Sequence, residues 1–300
     1  MNQRLNLPTA LLLTIPPLMW AGNAVVGKYA AELIPPMLLN FLRWGIAFLI
    51  LLPLTWQTLQ PSSSMWLHWR RYLLLGFLGV GCYNALMYLA LHTSSPLNVT
   101  LVGASVPVWM LLIGSMFFKQ TVSRMQALGS VLSIAGVVVV LTRGEVARLA
   151  QIQLVPGDFY MLLASMAWAF YSWILNQPKD PPNIRSNWAA FLMAQMVFGL
   201  GWAGLFAGGE RALTNAPIIW GWPLAAVLLY VALGPALLAY RCWGLGVQRV
   251  GPATAGFFAN LTPLIAAVLS AAFLGELPQL YHALAFVLIV GGIVVSSRRQ

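Results

Sequence analysis

Residues 72–118 contain no Asp, Glu, Lys or Arg, and neither do 186–209, 212–240, 250–275 or 277–297. Uncharged runs of this length constrain the fold more than any other feature of the chain. A soluble domain carries about 25% charged residues. Here 7% of 300 residues are charged, 60% are hydrophobic and the mean hydropathy is +0.80. So few hydrated groups cannot cover a folded surface, and lipid must serve as the solvent. A helix crosses about 30 Å of hydrocarbon with about 20 mostly apolar residues. Unpaired backbone groups are too costly there, so the runs must be helical, and a barrel would show alternation instead. The chain reads as an all-α integral membrane protein.

The apolar windows predict ten transmembrane helices near 8–29, 34–55, 71–91, 96–118, 125–142, 158–176, 186–207, 221–246, 251–274 and 279–296. Breakers separate them, among them Pro35-Pro36, Ser95-Pro96, Pro156-Gly157, Pro181-Pro182 and Gly251-Pro252. With the N-terminus inside, the cytoplasmic segments hold ten basic residues: Arg4, Arg70, Arg71, Lys119, Arg124, Lys179, Arg185, Arg249, Arg298 and Arg299. The opposite face holds four, Lys28, Arg143, Arg148 and Arg211. This positive-inside bias predicts that both termini are cytoplasmic, and the expected location of this multi-pass protein is the inner (plasma) membrane. The same scatter among short loops explains the net charge of +10 without nucleic acid. The first apolar run has no A-x-A cleavage site and contains Pro16-Pro17, so it is expected to be a retained helix. Cys82 and Cys242 lie in apolar runs as small core residues, and their spacing does not require a disulfide.

The chain also repeats. Residues 96–141 align without gaps on 252–297 at a constant offset of 156: Pro96 with Pro252, Pro107 with Pro263, Phe117 with Phe273, Gly136 with Gly292. Met19-Trp20-Ala21 is echoed by Ala167-Trp168-Ala169. The expected organisation is a first repeat over 1–142, a linker loop over 143–157 and a second repeat over 158–300. Five helices per half is an odd number, so the second half enters from the other side. That is a 5+5 inverted-topology repeat, a plan common among secondary transporters with a site near the midplane.

Three local patterns, with the 5+5 repeat, carry a resemblance. They are Pro36 followed by Asn40-Phe41-Leu42-Arg43-Trp44; Ser95-Pro96 leading to Pro107-Val108-Trp109; and Asn260-Leu261-Thr262-Pro263-Leu264 followed by Phe273-Leu274-Gly275-Glu276. Over essentially its whole length the sequence resembles the EamA family of the drug/metabolite transporter superfamily, of the bacterial exporter type. The family's Gly-Glu or Lys-Glu ending is intact in the second half and has become Lys119-Gln120 in the first. The resemblance implies transport, mostly export of amino acids, metabolites or drugs, with import in a minority. It also implies a central cavity lined by helices one, three, four, six, eight and nine.

Deep aromatic and amide residues fall on those helices. The expected substrate-binding set is Trp20, Asn23, Tyr83, Asn84, Tyr88, Trp109, Trp168, Tyr171, Tyr240, Arg241, Trp243 and Asn260. Each amide or phenol has a second reading, as helix-to-helix glue. Arg241 has two as well: a cavity cation for an anionic group of the solute, or a side chain snorkelling to the cytoplasmic interface. Arg43 is expected to be a hydrogen-bonding Arg near the outer interface. Lys28 and Glu32, four apart, are expected to pair, and Glu276 to cap the loop before the last helix. Asn98, on helix four, is a further polar candidate. Trp66, Trp69, Trp220 and Trp222 are interfacial-belt candidates.

No spacing among three histidines, two cysteines and six acids forms a metal site, and no phosphate-binding Gly-rich loop is present, so no cofactor is expected. The expected partners are a small-molecule solute and the bilayer, with monomer and homodimer both open. An intramembrane enzyme would need a nucleophile or metal cluster at depth, and a channel or assembly component would show polar rings or soluble segments. The expectation is a non-enzymatic secondary transporter working by alternating access.

Overall fold

The computed structural model describes residues 5–94, 96–151, 155–274 and 279–298, all helix, turn or loop. We label the long helical segments α1 (Leu7–Ala30), α2 (Pro36–Thr55), α3 (Trp66–Thr93), α4 (Pro96–Gly103 continued by Val106–Phe118), α5 (Arg124–Thr142), α6 (Pro156–Asn176), α7 (Trp188–Leu213), α8 (Trp222–Val250), α9 (Pro252–Phe258 continued by Leu261–Leu274) and α10 (Leu280–Ser297). Among the described residues eight helices are long and apolar enough to cross a membrane: α1 to α5, α7, α8 and α10. α6 buries one face, with Asp158, Ser165 and Ser172 all buried, and exposes Phe159 and Leu163 on the other. Arg4, Gly275, Glu276 and Arg299, and the side chains of Lys28 and Asn98, lie outside the described residues.

Local chemistry sets the ends. Asn6 accepts from the Thr9 amide, Ser123 and Gln126 form a reciprocal capping box, and Asn187 accepts from the amides of Ala189 and Ala190. Pro36, Pro156 and Pro252 start helices, where a missing N–H costs nothing. Gly251, with φ +85°, makes the sharp turn from α8 into α9. One cap comes from far away: the Glu210 carboxylate at the end of α7 accepts the Met37 and Leu38 amides at the start of α2, at 3.1–3.2 Å.

Interruptions recur at the 156-residue offset. α3 carries a wide π-type turn over Gly76–Cys82, and α8 carries one over Ala232–Leu238. In α8 this turn contains Pro235, which has no N–H for the ladder. α4 breaks at Ala104-Ser105 and α9 at Ala259-Asn260, one residue short of the same offset. Pro107 and Pro263 follow the breaks; a proline ring clashes with the carbonyl four residues back, here Gly103 and Ala259. The correspondence seen in sequence over 96–141 thus reaches back to residue 76.

α5 and α10 cross with their backbones in close contact. A Cβ added to Gly129 would lie 2.7 Å from the Gly292 carbonyl oxygen, and one added to Gly292 would lie 2.7 Å from that of Gly129. Small residues let backbones meet in this way where lipid offers no hydrophobic drive. At the opposite extreme of chemistry, Asp180, with a fully buried carboxylate, binds both Arg71 (2.7 Å) and Arg185 (2.9 Å) after α6. Trp66, Trp69, Trp220 and Trp222 are exposed.

Candidate functional site

The aromatic residues of α1, α3, α6 and α8 converge on Trp168. Its ring centroid lies 5.3 Å from those of Trp20, Tyr240 and Trp243, 5.0 Å from Tyr171 and 4.7 Å from Tyr83. Trp20 also meets Trp243 at 5.4 Å. Trp20 and Trp168, matched by the internal repeat, touch edge to face. Trp243 donates its indole N–H to the Ser172 hydroxyl (3.1 Å). These rings form a continuous layer across the middle of the bundle.

A hollow lies on each side of the layer. The larger is lined by Trp20, Tyr83, Met87, Thr100, Met161, Trp168 and Asn260, and by both helix breaks, at Ala104 and Ala259. The second is lined by Tyr171, Arg185, Trp188, Gln195, Tyr240, Arg241 and Gln248. No residue lines both. Their chemistry differs: none of the residues around the larger hollow is acidic, basic or histidine, whereas the cleft holds two guanidinium groups.

Arg241 sits on the cleft wall with its guanidinium 4.6 Å from the centroid of the Trp188 ring, a cation–π pair. α8 continues for nine residues beyond it, about 14 Å at 1.5 Å per residue. Arg241 is exposed and lines the cleft, not the larger cavity. Trp188, at the start of α7, carries no signal of this pairing in sequence.

Arg43 is a hydrogen-bonding residue, as expected, and is fully buried, at 0% exposure and about 10 Å into α2 from Pro36. Its Nη1 donates to Asn84 Oδ1 (2.8 Å) and to the Tyr88 hydroxyl (2.9 Å). Tyr88 then donates to Asn23 Oδ1 (3.0 Å). Asn84 Nδ2 donates to the Tyr240 hydroxyl (3.2 Å), which donates to the Gly79 carbonyl in the wide turn of α3. Both arms therefore run outward from one cation. Asn84 and Tyr240, joined directly, are 156 residues apart and occupy matching positions of the two halves. Asn23, Asn84 and Tyr88 belong to this network and line neither hollow.

Trp109 also lines neither. The turn at Ala104-Ser105 resets the helical phase of α4, so Val106 is its last residue on the cavity. Cys82 and Cys242 are both free. Among the described residues no group of His, Cys, Asp and Glu is placed to hold a metal.

The profile of the EamA-like transporter family matches the chain twice, over residues 7–142 and 155–298. An uncharacterized transporter of Archaeoglobus fulgidus is 25% identical to it across 99% of both chains. A protein of Salmonella typhimurium, named a probable amino-acid metabolite efflux pump, is 25% identical over 96% of this chain and 93% of its own. A solved crystal structure superposes with a TM-score of 0.72 at 22% identity, covering 96% of this chain and 98% of that one, which is a likeness of fold.

Proposed function

From the chain's membership of the EamA-like transporter family, we propose that it exports a small amphipathic metabolite, an amino acid or a similar solute or drug, by alternating access. The observation that carries this reading is the pair of hollows kept apart by one aromatic layer. A carrier must expose its site to one side while sealing it from the other, and a layer of rings between two hollows is an arrangement that can do so. The name of the Salmonella typhimurium relative supports an amino-acid-like solute and the outward direction.

In this reading α6 and α9 cross the membrane with the other eight helices, giving ten spans. Repeats over 1–142 and 158–300, joined by 143–157, then have opposite orientation, and both termini face the cytoplasm of an inner-membrane protein. The cleft with Arg241 lies toward the cytoplasmic end of α8 and admits the anionic end of the solute. The larger cavity, with Trp20, Tyr83, Trp168 and Asn260, holds the solute at the midplane. Asn23, Asn84, Tyr88, Tyr171, Tyr240 and Trp243 support that site from behind, and Trp109 contributes through α4.

Reconstitution into liposomes with labelled amino acids and cationic drugs tests the proposal. Saturable flux of at least one solute is expected. Folded protein that moves none of the panel would sink it. Membrane-impermeant thiol labelling of single cysteines placed at residues 3 and 299 tests the orientation, and labelling from outside the cell would reverse it.

A further inference from the structure

Arg43 brings a charge into the bundle that no carboxylate meets. A guanidinium keeps its proton at any physiological pH. Its partners are nevertheless neutral: the Asn84 amide oxygen, the Tyr88 hydroxyl and the face of the Trp44 ring. Among the described residues the acids are engaged elsewhere. Asp180 binds Arg71 and Arg185, and Glu145 binds Arg148. Asp158 accepts from the Ser94 hydroxyl, Glu210 accepts the Met37 and Leu38 amides, and Glu32 is exposed. No acidic residue lines either hollow. An unpaired ion is costly inside a membrane protein, and such residues commonly mark the path of a solute.

The charge also stands close to the aromatic layer. Its centre lies 5.5 Å from the Trp44 ring centroid, which lies 4.8 Å from that of Tyr240, so it is within about 10 Å of the Tyr240 ring. Asn84 bridges the two, accepting from Arg43 and donating to the Tyr240 hydroxyl. Tyr240 lines the cleft, and Tyr83, next to Asn84 in the chain, lines the larger hollow. We propose that Arg43 is a charge filter set behind the layer. Solutes of zero or negative net charge pass between the hollows, and solutes of net positive charge are rejected. The filter works through its field and needs no contact, which suits a residue with no exposed surface. At an effective dielectric constant of about 20, unit charges about 10 Å apart alter each other's binding roughly tenfold. This assignment rests on the carrier reading above.

The test uses labelled solutes matched in shape and different in charge, on the full chain in lipid nanodiscs, by equilibrium dialysis. The pairs are L-citrulline with L-arginine and L-glutamine with L-glutamate. The wild type is expected to bind L-arginine at least about tenfold more weakly than L-citrulline. Arg43→Met removes the charge. Asn84→Asp keeps the shape of the side chain and its bond to Arg43, but supplies a carboxylate that neutralises it. Each variant should strengthen L-arginine relative to L-citrulline about tenfold and weaken L-glutamate relative to L-glutamine by a similar factor. The opposite signs identify a field, because a change in packing or hydration moves both charged probes the same way. A residue that only braced α2 against α3 would also gain from Asn84→Asp, since a charged acceptor strengthens the bond, and both ratios would stay put. Unmoved ratios overturn the proposal, as do ratios that shift in the same direction. So does a wild type that binds L-arginine as tightly as L-citrulline, or that binds none of the four. If Arg43→Met fails to fold, Asn84→Asp decides alone. Liposome flux separates the two claims. Flux with unmoved ratios retains the carrier and discards the filter; the expected shifts without flux of any solute do the reverse.

Discussion

The α5–α10 crossing and the aromatic layer around Trp168 are built on opposite principles. At the crossing two backbones touch, and Gly129 and Gly292 leave no side chain between them. Nothing there can swing, and a change of distance must move a whole helix. In the layer, six large rings meet edge to face, tilted or stacked, at 4.7–5.9 Å, with open space on either side. Rings in such contacts exchange one favourable geometry for another at small cost. The contrast separates a framework from a moving part within one bundle, and it predicts that substitutions in the two regions fail in different ways.

The largest effect is expected at the crossing. Gly292→Leu forces a side chain into the Gly129 backbone, and overpacking of that kind costs about 3 kcal/mol or more. Little folded protein should survive detergent extraction, as read by size-exclusion chromatography. A monodisperse, thermally unshifted variant would break the framework half of the comparison. Trp168→Ala comes next. Transport should fall at least about a hundredfold, the loss that about 3 kcal/mol represents, while the protein still elutes as a folded peak. Loss of the fold there would place the layer with the framework instead.

Arg241→Gln removes a cation that stacks on Trp188 and belongs to neither region. Flux of a carboxylate-bearing solute should drop about tenfold with thermal stability unchanged, since an exposed cation–π pair is worth about 0.5–1 kcal/mol. Unchanged flux would detach the cleft from the transport path. The smallest effect sharpens the framework side. Lys119 ends α4 with φ +54°, a conformation glycine adopts freely, and its repeat-matched position is Gly275. Lys119→Gly should stabilise the protein by up to about 1 kcal/mol in thermal melts and leave flux unaltered.

The helices were legible because charge-free windows, prolines and the positive-inside bias are all local properties of the chain. Their observed ends differ from expectation by a few residues, most at α7, which runs on to Leu213. The repeat was legible too, since one gap-free offset joins Pro107 with Pro263 and Gly136 with Gly292. What stayed hidden were partnerships across the bundle. Sequence gives the distance of Arg43 from a helix end and nothing of what surrounds it, so its partners Asn84 and Tyr88 could not be read. Glu210 caps a helix that starts more than 170 residues earlier. Trp109 sat on the expected helix and was turned away by a two-residue break that the proline foreshadowed without fixing its phase. Depth follows from composition, but facing depends on interruptions.

Those interruptions also decide where the chain tolerates a change of length. A π-type turn accommodates one residue more than the α-helix on either side of it. Removing a residue within Gly76–Cys82 would close that turn into ordinary helix, leaving Asn84 and Tyr88 against Arg43 while withdrawing the carbonyl that Tyr240 uses. Removing one from Trp69–Leu75 or Tyr83–Thr93 instead rotates everything beyond it by about 100°. Single-residue deletions that preserve the helices therefore have two tolerant windows inside the bundle, one in each half, at positions matched by the repeat.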